Sequence, residues 1–212
     1  MKLCDMTVTQ FVDTVASDAP APGGGGSVAA LAGSIGAALT AMVGNLTQGR
    51  KKYAQYAEFA AQVEAKGNEL KARLLDVMDR DTDAFMLVSD AFSLPKATDE
   101  EKAARSAAIQ AGLKACTKTP MEMMELCAQA AKLASDFAEN GFNSSSASDL
   151  GVAFLSLSAA IRGAWLNVLI NIGSLKDQAF AAEYRKRGEA LLERALPLAD
   201  AGFAKVVAMI EG

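Results

Sequence analysis

Apolar residues recur three and four positions apart along nearly the whole chain, and apolar–polar alternation never lasts beyond a few residues, so the pattern predicts helices and no strand. Thr7 to Gln10 reads as a capping box that opens a short helix toward Ser17, with Pro20 and Pro22 ending it. Ser27 is expected to cap a second helix, in which Val28, Leu31, Ile35, Leu39, Met42 and Leu46 form one stripe among Ala, Gly, Ser and Thr. A third helical region runs from about Lys51 to Leu94 with a bend at Gly67, carrying Leu74, Met78, Phe85, Val88 and Phe92 on one seam. Pro95 breaks it, and Thr98 with Glu101 starts the next helix by the same capping logic. Thr119 and Pro120 suit a cap and a first helical position, with Glu122 closing the box, so a separate helix is predicted from there to about Glu139. A polar loop, Glu139 to Asp149, leads into a long helix with Phe154, Ile161, Trp165, Val168, Ile172 and Leu175 on one side. A final amphipathic helix, about Asp177 to Glu211, is expected to kink at Pro197.

Long helices, short loops and no strand signal define the expected fold: an all-α, up-and-down helical bundle in one domain over residues 1–212. Composition agrees, because 51% of the residues are hydrophobic and only 6% aromatic, so the core must be built from Ala, Leu, Val, Ile and Met. The uncharged run from Ser27 to Leu46 is long enough to cross a bilayer, yet its large residues occupy one stripe, which reads as a central bundle helix with small sides. No membrane partner is expected. The net charge of −4 and the scattered basic residues also argue against a nucleic-acid partner. Three cysteines at unpatterned spacing and an N-terminus without a signal-length apolar run point to the cytoplasm. The chain has no histidine, which removes the Ser-His-Asp triad, the Cys-His pair and nearly every zinc site; no metal site is expected.

Chemistry has to sit where the bundle pattern breaks. Gly23 to Gly26 lack the strand and the spacing of a dinucleotide fingerprint and the Lys of a phosphate loop. They remain either a hinge or a turn that feeds free N–H groups at a helix N-terminus toward a polar ligand. Asp81 falls on the seam between Met78 and Phe85, where a carboxylate is either paired with a cation or raised in pKa for acid–base work. Asp79 to Ala84 mimics the start of a calcium loop but has Ala84 where Gly is needed and Asp90 where Glu is usual, so helix is the better reading. Asn143, Ser148 and Asp149 lie in the polar loop, as helix caps or ligand groups. Asn167 and Asn171 are four apart on a stripe with Ala160, Ala164 and Ser174, serving as interhelical glue or reading a polar ligand edge. Arg50, Lys51 and Lys52 either compensate a helix dipole or hold a carboxylate-bearing tail.

Taken together, Pro22-Gly23-Gly24-Gly25-Gly26-Ser27, Gly49-Arg50-Lys51, Asp81 in DTDAF, LPKATDEEKAAR from Leu94, NSSSASDLGVA from Asn143 and LNVLIN from Leu166 resemble the cyclodeaminase/cyclohydrolase family of tetrahydrofolate enzymes. The pieces occur in family order and cover nearly the whole chain, most like stand-alone bacterial members of the cyclohydrolase type. The resemblance implies an all-helical homodimer acting on a folate substrate, with no cofactor beyond the tetrahydrofolate itself. It implies either hydrolysis of 5,10-methenyltetrahydrofolate to 10-formyltetrahydrofolate or closure of 5-formiminotetrahydrofolate with loss of ammonia. On that resemblance Asp81 becomes the expected acid–base residue and Lys96 its assistant. Asp149 is expected to bind the pterin, with Asn143, Ser148, Asn167 and Asn171 completing the polar lining. Gly24, Gly25, Gly26 and Ser27 would pack on the flat ring, and Arg50, Lys51 and Lys52 would hold the glutamate tail.

Overall fold

The predicted helices form, and their joints differ from expectation in ways that build the site. The computed structural model describes residues 2–19 and 21–212, and among them there is no strand. The Thr7 capping box closes in both directions with Gln10 and starts α1 (Val8–Val15). Pro20, expected to end that helix, lies outside the described residues. Five long helices follow: α2 (Gly25–Gln48), α3 (Ala57–Phe92), α4 (Asp99–Asn140), α5 (Ala147–Gly173) and α6 (Gln178–Glu211). Consecutive helices pack side by side, and α2 also lies along α5, so α2 is held between α3 and α5. The Thr98–Glu101 capping box is present at the start of α4, and Asp177 caps α6 through the Phe180 N–H.

The buried face of α2 is its small-residue face. Ala29, Ala30, Gly33, Ala37, Ala41 and Gly44 are buried, whereas Val28, Ile35, Met42 and Leu46 of the large stripe are 39–46% exposed. Small side chains let neighbouring backbones approach, so the helix buries the face that fits closest, not the face with the largest residues. Gly67 follows from the same contact. It does not bend α3, which runs unbroken through it; a Cβ there would stand 2.9 Å from Ala41 Cβ, and one at Gly44 would stand 2.8 Å from the Ala60 carbonyl.

Three further expectations change. Ser27 is not the cap of α2, because the helix starts two residues earlier behind Gly24. The α3 seam holds at Leu74, Met78 and Val88, but Phe85 and Phe92 are exposed, because toward its C-terminal end α3 buries the smaller Ala84, Val88 and Ala91, with Ala84 and Val88 packed against Cys116 of α4. Thr119 and Pro120 do not start a helix: they lie within the 42-residue α4. Tertiary packing of this buried segment overrides the local breaker, and the two expected helices are one. Glu122, expected to close a box with Thr119, instead accepts two 2.9 Å hydrogen bonds from Arg80 and ties α4 to α3.

Candidate active site

The first turn of α2 rests against the middle of α3. Gly24 precedes it with φ near +98°, a left-handed conformation that side-chain-bearing residues rarely adopt. At Gly26 the need is space, since a Cβ there would overlap Oδ2 of Asp81. The carboxylate of Asp81 therefore lies directly on the N-terminal turn of α2, where the first N–H groups of the helix have no intrahelical partner. A Cβ at Gly25 would lie 3.6 Å from Asn167 Nδ2, which places the amide of α5 over the same turn. From α4, Thr119 Oγ1 donates to Asp81 Oδ1 at 2.8 Å, and Asn171 Nδ2 donates to the Cys116 carbonyl at 2.6 Å. Three helices, α2, α3 and α4, thus meet at one carboxylate, and α5 lies against the same turn.

The surroundings set its chemistry. Burial pushes the Asp81 carboxyl up from its ordinary pKa, and the Thr119 hydrogen bond opposes that shift by favouring the charged form. No Lys or Arg pairs with Asp81 among the described residues, so the ion-pair reading of this position does not hold. Its neighbour Arg80 is committed to Glu122 and, at 2.7 Å, to Asp76. Beside it the Cys116 thiol is pushed up to about 11 by burial and by the Asp81 charge, so it stays a neutral thiol. Ser27, fully buried one residue past Gly26, has a hydroxyl with no hydrogen-bond partner. The site thus offers a carboxylate of raised proton affinity, free helix N–H groups, two amides and small side chains. Among the described residues no cluster of His, Cys, Asp or Glu could hold a metal.

The remaining expected residues, Lys96 apart, lie at the other end of α2. Its 24 residues span about 36 Å at a rise of about 1.5 Å per residue. At the far end Arg50, Lys51 and Lys52 are exposed beside Tyr53, whose hydroxyl is 2.8 Å from Ser144 Oγ. Asn143 is buried and spends its side chain on the fold: Nδ2 donates to the Leu46 carbonyl, and Oδ1 accepts from the Ser145 N–H. Ser148 is exposed and Asp149 half-buried in the first turn of α5. Lys96 is exposed in the α3–α4 turn and shares no hydrogen bond or ion pair with Asp81 among the described residues; α3 continues about 16 Å past Asp81 before that turn. One chain therefore joins Gly24, Gly25, Gly26, Ser27, Asp81, Asn167 and Asn171, and keeps Arg50 to Lys52, Asn143, Ser148 and Asp149 apart from them.

Sequence reasoning missed Thr119, reading it as a cap. The available signal was the same one that singled out Asp81. Cys116, Thr119, Met123 and Cys127 step by three and four along one buried stripe, and Thr119 is the hydroxyl residue on it.

A family model described as formiminotransferase-cyclodeaminase matches residues 7–190. The chain belongs to this family. Within it, the chain is 47% identical over 189 residues to methenyltetrahydrofolate cyclohydrolase of Methylorubrum extorquens, covering 89% of this chain and 90% of that one. It is also 36% identical to formimidoyltransferase-cyclodeaminase of Rattus norvegicus over 91% of its own length, while spanning only 35% of that longer protein. The fold matches the crystal structure of formiminotetrahydrofolate cyclodeaminase from Thermotoga maritima with a TM-score of 0.80, over 98% of this chain and 97% of that one at 27% identity.

Proposed function

We propose that this family member hydrolyses 5,10-methenyltetrahydrofolate to 10-formyltetrahydrofolate, with Asp81 as its acid–base residue. The observation that carries the reading is a carboxylate of raised proton affinity, with no cation partner among the described residues, held on the glycine turn of α2. Water attacks the amidinium carbon that bridges nitrogens 5 and 10, Asp81 takes the water proton, and a tetrahedral carbinolamine forms. Asp81 then returns the proton to nitrogen 5 as its bond to carbon breaks, while the carbinolamine hydroxyl gives up its own proton to solvent and becomes the carbonyl of the formyl group on nitrogen 10. The scheme uses no cofactor beyond the folate substrate. Asn167 and Asn171 line the ring site with the α2 turn, and the Asp81 carboxylate is the group that faces the amidinium charge. The likeness to the Thermotoga maritima cyclodeaminase supports a second use of the same carboxylate, in which nitrogen 10 attacks a formimino carbon and ammonia leaves. Loss of methenyltetrahydrofolate absorbance near neutral pH, with wild type, Asp81→Asn and a no-enzyme blank side by side, tests the main reading. Wild-type loss well above the blank, abolished in a folded Asp81→Asn, is expected; a wild-type rate equal to the blank refutes it, and ammonia release from formiminotetrahydrofolate would then establish the second.

The active form in this reading is a cytoplasmic homodimer. Two helices, 25–48 and 144–173, are apolar and long enough to cross a membrane, and each turns a largely apolar stripe outward: Val28, Ile35, Met42 and Leu46 on α2, and Val152, Leu155, Leu166 and Ile170 on α5, where Arg162 interrupts it. Because the polar clusters lie at opposite ends of that shared face, an antiparallel second copy laid on it brings Arg50, Lys51, Lys52, Ser148 and Asp149 of one chain to the Asp81 turn of the other. A second copy therefore both covers the stripe and completes the ring and tail contacts, which a lipid surface would not. Sedimentation should show a dimer for wild type and a monomer of low activity for Ile35→Glu/Ile170→Glu; a fully active wild-type monomer would refute the dimer.

A further inference from the structure

Helical threonines and asparagines in this protein have a habit. Thr14, Thr40, Thr47 and Thr117 each donate to the carbonyl four residues back in their own helix, and Asn68, Asn140 and Asn167 do the same. Such back-bonding is the local default for these side chains in a helix. Asn45, which donates to Glu64 Oε1, and Thr82, whose buried hydroxyl has no partner, depart from it, and so do Thr119 and Asn171. The Thr119 hydroxyl reaches across to Asp81, and the Asn171 amide reaches across to the Cys116 carbonyl.

Pro120 links Thr119 and Asn171. It stands inside α4, where a proline has no N–H to give to the carbonyl four residues earlier, and that carbonyl belongs to Cys116. A buried carbonyl left without its helical donor needs another partner, and Asn171 Nδ2 supplies one at 2.6 Å. A proline in a helix interior is costly, and here the cost falls one residue after the hydroxyl that holds the acid–base carboxylate. The Arg80–Glu122 pair ties α3 to α4 one residue from Asp81 and three from Thr119, which holds the Thr119 hydroxyl and the Asp81 carboxylate in register.

We propose that Thr119 and Pro120 are paired positioning residues: Thr119 fixes the orientation of Asp81, and Pro120 frees the Cys116 carbonyl so that it fixes the side chain of Asn171 on the opposite wall of the same site. The inference rests on the reading of Asp81 as the acid–base residue. The groups facing Asp81 leave Thr119 as its main polar control. On α4 the titratable neighbour is the neutral Cys116 thiol, on α3 Arg80 is bound to Asp76 and Glu122, α2 presents glycines and Ser27, and α5 presents Asn167 and Asn171.

The test uses the full chain and methenyltetrahydrofolate absorbance, with wild-type turnover over the blank established first, so that failure of the functional reading appears in the wild type and failure of this inference only in the variants. Thr119→Val should lower kcat by about 10- to 100-fold with KM nearly unchanged, the scale expected when a catalytic group is misplaced. Loss of the hydroxyl also removes a stabiliser of the charged form, so the acid limb of the pH–rate profile and the Asp81 carboxyl titration, followed by carbon NMR against Asp81→Asn, should both move to higher pH. Thr119→Ser should restore both. Pro120→Ala returns an N–H to the Cys116 carbonyl and should give a protein that melts no lower than wild type yet turns over at least about fivefold more slowly. Added to Asn171→Ala, it should do nothing more, since the two act through one contact. A Thr119→Val enzyme with the wild-type pH profile and kcat overturns the first half. A folded Pro120→Ala enzyme with wild-type turnover, or full additivity with Asn171→Ala, overturns the second.

Discussion

Gly26→Ala is the sharpest perturbation of this site. The Cβ it introduces would overlap Asp81 Oδ2, and the atom in the way belongs to the end of a side chain, so the carboxylate can swing aside while the helices stay in place. Three contributions set the stability change. Alanine in place of glycine in a helix gains about 0.5–1 kcal/mol. The displaced Asp81 loses its hydrogen bond from Thr119, about 1.5–3 kcal/mol for a bond to a charged group. Release of the carboxylate from burial returns part of that loss. The net destabilisation is about 2 kcal/mol or less, a shift in Tm of about 4–8 °C at most. Activity responds far more, because displacing the reacting carboxylate by about 1 Å costs roughly 100-fold in kcat. Gly25→Ala is the matched control: its Cβ would meet Asn167 Nδ2 at 3.6 Å, an ordinary contact. It should change kcat by less than about threefold, the equivalent of about 0.6 kcal/mol. The assay is methenyltetrahydrofolate hydrolysis over a no-enzyme blank, with circular dichroism melts to confirm folding. A folded Gly26→Ala enzyme within about threefold of wild-type kcat would refute the claim that Asp81 works from its place on the α2 turn.

Because the folded chain raises the Asp81 pKa, it holds that proton more tightly than the unfolded chain does. Stability contributed by this group is therefore greatest at low pH and falls as pH rises through the folded-state value. Asp81→Asn should melt above wild type at mildly alkaline pH, with the difference closing on acidification; a pH-independent difference would count against the shift. Wild-type turnover should fall in the same acidic range, as the base is protonated. Gly202→Ala places a methyl group in the Phe154 ring and should destabilise the α5–α6 contact by about 1–3 kcal/mol in urea titrations, leaving kcat of the folded enzyme unchanged. Arg50→Ala/Lys51→Ala should raise KM for a polyglutamyl substrate by about tenfold at low salt and by less at high salt, with little effect on a monoglutamyl one. Equal effects on both substrates would remove these cations from tail binding.

Periodicity was enough to make the chain helical, since three- and four-residue spacing recurs through all five long helices, and the capping boxes at Thr7 and Thr98 rest on residues close in sequence. The same local reasoning marked Asp81 as a carboxylate out of place on an apolar seam, and the family motifs marked the glycine turn beside it. Tertiary structure decided what those local patterns left open. Thr119-Pro120 has the form of a helix start, yet burial between α3 and α5 keeps α4 continuous and turns the expected cap into a donor to Asp81. The large residues of α2 face outward because glycine and alanine allow the closer approach to α3 and α5. The placing of Arg50 and Asp149 at the far end of α2 from the Asp81 turn cannot be read from motif order, because a motif records sequence position while a 24-residue helix, about 36 Å long, carries its two ends to opposite poles of the bundle.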